Sequence, residues 1–350
     1  MGMVASPEIR CSTAARVRCF VPRTWLVLAA IAALVLTPAL APSHANAEPR
    51  CAGIDYNAKV MEIIRALPTG GGYSRGNSFV SPKFQTHNIG GGNWELRVYD
   101  GFPSHCTSAT YALFGHLVAL LHNGGKISLT ADQLRWLEVS WRTPDGAALV
   151  DGQDPWWIFN ANGAGAAALI KHTGIGVSFR DDKLAEARAG DFLKIFWNGN
   201  VGASEQGHQV VYTGRRQVGG GEMICFWGSQ KQGTRKRNGR RQPLYFPARE
   251  GGKVHNGYGE VCRPRGDIKH MVFSRITCME QLSAGLADMR ARADENGEGP
   301  LRMLRPFEDT YLMSLRKKSS DHTTLDSAYD IRPDASSLAS VGSLPNEPTQ

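Results

Sequence analysis

Residues 106–125 read CTSATYALFGHLVALLHNGG, and the folding of this stretch governs the arrangement of the rest. Tyr111, Phe114, Leu117, Val118 and Leu121 recur at intervals of three and four, the spacing of one helical face. Pro103 and Ser104 lie just before the run, and Asn123-Gly124-Gly125 ends it. The spacing predicts a helix over 106–122 with Cys106 at its start. Backbone N–H groups at that end have no partner inside the helix, and the helix dipole is positive there. Both favour thiolate over thiol, so Cys106 is a candidate nucleophile. The competing readings are half of a disulfide or a buried core thiol.

Upstream, Ile54, Val60, Ile63, Ile64 and Leu67 predict a helix over 55–67, stopped by Pro68. The two glycine triplets at 70–72 and 90–92 read as loops, and Trp94 to Tyr99 alternates like a short strand. Downstream, Thr130 and Gln133 have capping-box spacing at the head of a helix reaching Trp141. A further helix begins at Asp154 with Pro155 in its first turn, breaks near Gly163 or Gly165, and stops near Gly174. Short apolar runs follow at 191–197, 208–213, 223–227 and 271–276, with a glycine-rich turn over 215–221, then a last helix over 279–293. Helices first and strands later predict an α+β domain, its helices followed by a small antiparallel sheet.

A thiolate needs a proton acceptor, and His208 opens the run GHQVVY at 207–212. A hairpin of 208–213 with 223–228 sets His208 opposite about Gly228 and Ser229, with Gln230 just beyond. A polar group there accepts the imidazole N–H and fixes its tautomer. Gln230 is the candidate orienting residue and Ser229 the alternative. His105 reads as a loop residue whose side chain points away from that of Cys106, and Asp191 as a turn residue. Trp136, Trp141, Trp156 and Trp157 read as core, while Trp197 and Trp227 are placed to line a cleft.

Length and composition limit the remaining choices. The chain has 350 residues, 42% apolar and 21% charged. That excludes a wholly disordered chain, a collagen-like fibre and a multi-span membrane protein. Seven cysteines are too few for a disulfide-dense mini-scaffold of this length. Four arginines (Arg10, Arg16, Arg18 and Arg23) precede an apolar stretch from Trp25 to Leu40, and Ala45-Asn46-Ala47 fits a cleavage site. Residues 1–47 are read as a signal peptide, which implies export to a periplasmic or extracellular space and no stable membrane span after cleavage. Without them, 36 Lys and Arg face 31 Asp and Glu, a net charge of +5 rather than +8. Five cysteines remain, an odd number, so at least one has no partner within the chain. With Cys106 set aside, Cys51, Cys225, Cys262 and Cys278 allow three pairings, of which Cys262–Cys278 is the most local. Cys225 on a central strand is alternatively a buried free thiol. Residues 318–350 are rich in Ser, Asp, Thr and Pro and are expected to be mostly disordered.

The blocks Cys106-Thr107-Ser108, Gly190-Asp191-Phe192-Leu193, Gly207-His208-Gln209-Val210 and Trp227-Gly228-Ser229-Gln230 stand in the order used by papain-like hydrolases. Together with Gly257-Tyr258-Gly259 and Phe273-Ser274-Arg275-Ile276, they resemble the NlpC-type and CHAP-type cell-wall hydrolases over 101–276. The resemblance implies a papain-like catalytic domain over 101–293, with 48–100 as its N-terminal extension and 294–350 as a C-terminal segment. It implies hydrolysis of an amide or peptide bond in peptidoglycan stem peptides, with no metal or organic cofactor. In that scheme Cys106 is the nucleophile, His208 the base and Gln230 the orienting residue, with Ser229 and Trp227 against the substrate. Members of the family more often carry His, Asn or Glu as the third residue, and the insert between Tyr111 and Asp191 is long. The reading from another class is a catalytically silent envelope-binding protein on the same fold.

One motif stands apart. Lys231 to Arg241 reads KQGTRKRNGRR, six basic residues and no acid, directly after Gln230. It is either a solvated loop or a patch that concentrates an acidic envelope polymer, peptidoglycan included. Export argues against nucleic acid, and no nucleic-acid motif surrounds the run.

Overall fold

The computed structural model describes residues 51–74, 82–139, 155–160, 165–199, 206–237 and 239–296. The expected signal peptide, the tail beyond 318, Trp141 and the start of the helix at Asp154 lie outside the described residues.

Six helices and twelve strands make up the described chain. The helices are α1 (Tyr56–Ala66), α2 (Cys106–Asn123), α3 (Ala131–Trp136), α4 (Pro155–Asn160), α5 (Ala166–Thr173) and α6 (Leu282–Asn296). The strands are β1 (Gly70–Gly71), β2 (Lys83–Gly90), β3 (Asn93–Tyr99), β4 (Gly176–Arg180), β5 (Phe192–Phe196) and β6 (Gly207–Val218). They continue with β7 (Gly221–Gln230), β8 (Thr234–Arg237), β9 (Arg240–Pro243), β10 (Phe246–Pro247), β11 (Gly257–Pro264) and β12 (His270–Ile276). Eight strands form one antiparallel sheet in the order β1-β11-β7-β6-β5-β12-β4, with β10 also on β11. β2–β3 and β8–β9 are separate hairpins.

This architecture corrects the expected fold class. The chain is dominated by a large antiparallel sheet with few helices, not by papain-like helices followed by a small sheet. The sequence reading missed β1, on a glycine triplet read as a loop, and β2, β8, β9 and β10; three further segments escaped it for separate reasons. The run GVSFR of β4 is five residues long, too short for a clear period. β11 carries two glycines, a glutamate, an arginine and a proline, all against its strand character. In β6 the polar RRQV segment over 215–218 looks like a turn, yet it continues the ladder to Val218↔Gly221. The two α3 and α4 pieces are only six residues each.

The helical expectations near the site hold. α2 runs from Cys106, and its buried residues lie on every side, as for a helix enclosed by other elements. Gly115 lets it approach the β2–β3 hairpin, because a β-carbon there would collide with the Phe84 ring. The Phe84 ring instead stacks on Tyr111 at 4.8 Å. Thr130 caps α3 with the reciprocal Gln133 bond that the spacing predicts.

Both faces of the sheet are covered. On β5, Phe192 and Phe196 join the helix-side core while Leu193 and Ile195 join a second core on the far face. On β12, Val272 and Ile276 face the helices, and Met271 and Phe273 face away. Burial on two faces erases apolar–polar alternation, so such strands read as continuous apolar runs. Asp191 is more than a turn residue. Fully buried, it receives Arg275 through Nε at 2.8 Å and Nη2 at 2.7 Å, and Asn57 Nδ2 at 2.8 Å. It thereby ties the entry of β5 to α1 and β12.

The disulfides join Cys51 to Cys278 and Cys225 to Cys262. The local Cys262–Cys278 pairing and a free Cys225 are both corrected. Cys225 and Cys262 are register partners on adjacent strands, which brings their side chains together. Cys106 is the one free cysteine among the described residues.

Candidate active site

The site is built where two strands part. The β6–β7 ladder ends at Val211↔Trp227. Beyond it, β6 continues to Gly207 paired with β5, and β7 continues to Gln230 paired with β11. His208 lies on one side of this split, Ser229 and Gln230 on the other. A bulge between Tyr212 and Gly214 adds one residue to β6. The turn at Val218↔Gly221 followed by this bulge sets His208, counting onward from Val211↔Trp227, across from Gln230, not from Gly228 and Ser229.

The start of α2 is fixed against this split by backbone contacts. Ser104 N–H donates to Gly72 O at 3.1 Å, and Ser74 N–H donates to Ser104 O at 3.0 Å. Ser229, fully buried, donates its hydroxyl to the same Ser104 carbonyl at 3.1 Å. Ser229 thus holds the helix start two residues before Cys106. Its one O–H donor is committed to that carbonyl. Trp227 is buried in the helix-side core, edge-on to Tyr258 at 5.2 Å. Its ring packs; it does not line an open cleft.

Cys106 is 6% exposed. Burial by itself pushes its thiol pKa up, the largest single influence. Hydrogen bonding and charge from His105, then from His208, act the other way. Together they hold the thiol well below its ordinary value. The sulfur is 3.6 Å from His105 Nδ1 and 3.8 Å from Nε2. His105 lowers the thiol pKa first through hydrogen bonding and then through charge. His105 Nδ1 is also 3.0 Å from Thr107 Oγ1, and its ring stacks on Tyr73 at 5.9 Å.

His105 is the residue that sequence reasoning set aside. Neighbouring side chains point apart along a strand. His105 is extended (φ −100°, ψ 163°) but caps the helix that begins at Cys106. The change of backbone conformation between the two residues brings their side chains together. An N-cap position directly before a helix-start cysteine was the available signal.

His208 is buried within an aromatic frame. Trp197 lies 6.2 Å away, Tyr245 6.3 Å and Phe226 6.0 Å, the last edge-on. The Arg263 guanidinium caps the same frame, 4.7 Å from the Trp197 ring and 5.4 Å from Tyr245. Nothing in the sequence pointed to Tyr245 or Arg263. His208 Nε2 is buried with no hydrogen-bond partner among the described residues, and so is Gln230 Oε1. Gln230 Nε2 donates to Gly259 O. A ring nitrogen and an amide oxygen thus stand buried at the same register position, each without a partner among the described residues. Among the described residues, no three of His, Cys, Asp and Glu stand close enough to hold a metal ion. No described helix is long and apolar enough to cross a membrane.

No protein-family model, curated protein or solved structure matches the chain.

Proposed function

We propose that the protein is an exported cysteine hydrolase that cleaves an amide or peptide bond in peptidoglycan stem peptides. The observation that carries this reading is the Cys106 thiol, unpaired while the other four described cysteines are bonded, and served by two histidines at a helix start. The reaction class follows from the thiolate–imidazole pair, not from the fold. Cys106 Sγ attacks the amide carbonyl, and the C–N bond breaks as His208 protonates the leaving amine. Water then displaces the sulfur, giving up its proton to the neutral imidazole and releasing the acid. The N–H groups of the first turn of α2 and the helix dipole stabilise the oxyanion. Gln230 orients His208 by accepting its free N–H.

A specific observation favours a second reading. Both Cys106 and His208 are buried, as in a core polar pair, and a silent envelope-binding protein accommodates that. Digestion of purified sacculi separates the two. Wild-type protein is expected to release soluble fragments, and Cys106→Ala to lose that activity by at least about a hundredfold. Full lytic activity in Cys106→Ala excludes the hydrolase reading, and salt-sensitive binding without lysis by the wild type favours the second.

A further inference from the structure

The basic run after Gln230 is a structured hairpin, not a solvated loop. β8 and β9 pair with Lys236 directly opposite Arg241 and Arg235 opposite Gln242. Arg235 is half-buried and forms an ion pair with Asp267, pinning one face of the hairpin to the body. Gln232 Nε2 donates to Val254 O, and Leu244 N–H donates to Gly233 O at 2.9 Å, closing the root. The opposite face carries Lys236 and Arg241, both exposed; Lys231 before the ladder and Arg240 at the hairpin end are exposed too. None of these four has a carboxylate partner among the described residues.

Like charges directly opposite on a ladder are destabilising. A hairpin that keeps such a pair exposed, without a neutralising acid, is complementary to an anion supplied from outside. Its root reaches the candidate site: Tyr245, two residues past β9, packs beside the His208 ring.

We infer that the β8–β9 hairpin is a docking surface for an acidic glycan, a sugar polymer bearing carboxylates or phosphodiesters. This deepens the envelope-polymer role proposed above but does not depend on the Cys106 chemistry. Two observations favour a glycan over a nucleic acid. Residues 231–243 contain no aromatic side chain on which bases could stack. The chain carries two disulfides, which form and persist in oxidising compartments where nucleic acid is scarce.

The test is binding by the full-length Cys106→Ala protein, so that cleavage does not interfere, to polygalacturonate, a phosphodiester-bearing mannan and a 20-base-pair DNA duplex. The expected result is salt-sensitive binding to at least one of the first two, the better ligand identifying the charged group. Lys236→Glu converts the like-charge pair into an opposite-charge pair. It is expected to weaken glycan binding about tenfold while leaving the melting temperature unchanged or raised. Lys236→Gln with Arg241→Gln is expected to weaken binding without reversing charge. The inference is overturned if neither glycan binds at low salt, if the DNA duplex binds more tightly, or if the charge variants bind like their parent. No glycan binding by the Cys106→Ala protein, with the wild type still lysing sacculi, would remove the docking surface and leave the hydrolase reading standing.

Discussion

The thiol of Cys106 stands between opposing influences, burial against two imidazoles, and the imidazoles win. A thiol whose folded pKa is depressed contributes stability that is full above its unfolded pKa, about 8.5, and lost as pH falls through the folded value. Thiolate absorbance near 240 nm is therefore expected to appear below pH 8.5 in the folded protein and to be absent in Cys106→Ala. His105→Gln and His208→Gln should each move that midpoint upward, His105→Gln the further of the two, since its influence is the larger. If His105→Gln leaves the midpoint in place, the 3.6 Å contact has no electrostatic consequence. Cys106 and His208 were legible as candidates because each sits at the edge of a periodic run. Their burial was not, because it depends on residues far along the chain.

At the scale of elements, the site rests on junctions between segments distant in sequence. Asp191 bridges α1, β5 and β12 through Asn57 and Arg275. Breaking a buried ion pair from one side leaves an uncompensated charge, so Asp191→Asn is expected to cost about 3 kcal/mol, read by urea denaturation. An unchanged midpoint would show that Asp191 is not the bolt between these elements. Ser229→Ala removes one hydrogen bond to the Ser104 carbonyl, which retains the Ser74 N–H. The stability loss is expected to be about 1 kcal/mol, with lysis falling more steeply because the helix start is released. Helix boundaries such as α2 and the Thr130 cap were readable because caps and period are local. The identity of Asp191 as a turn residue was only half of its role, since its partners lie 134 and 84 residues away.

The whole molecule is closed by two disulfides of very different span, 227 and 37 residues. In the chain-entropy view they restrict the unfolded state by about 5 and about 4 kcal/mol. Cys51→Ser with Cys278→Ser is expected to lower stability by about 2–5 kcal/mol, and peptide mapping without reduction should recover Cys51–Cys278 and Cys225–Cys262 as linked pairs. A Cys106 found in a linked pair would remove the nucleophile from that form. Tyr56 reinforces the longer closure by donating its hydroxyl to Glu280 at 2.7 Å.

From residues alone came the helix starting at Cys106, the strand carrying His208, the odd cysteine count and the basic run. These rest on spacing, capping and arithmetic, which are properties of neighbouring residues. Tertiary structure alone decided the eight-stranded sheet, the disulfide partners, the approach of His105 to the sulfur and the split that sets His208 across from Gln230. Strand pairing joins segments far apart in the chain, and a single bulged residue on β6 resets which side chains meet.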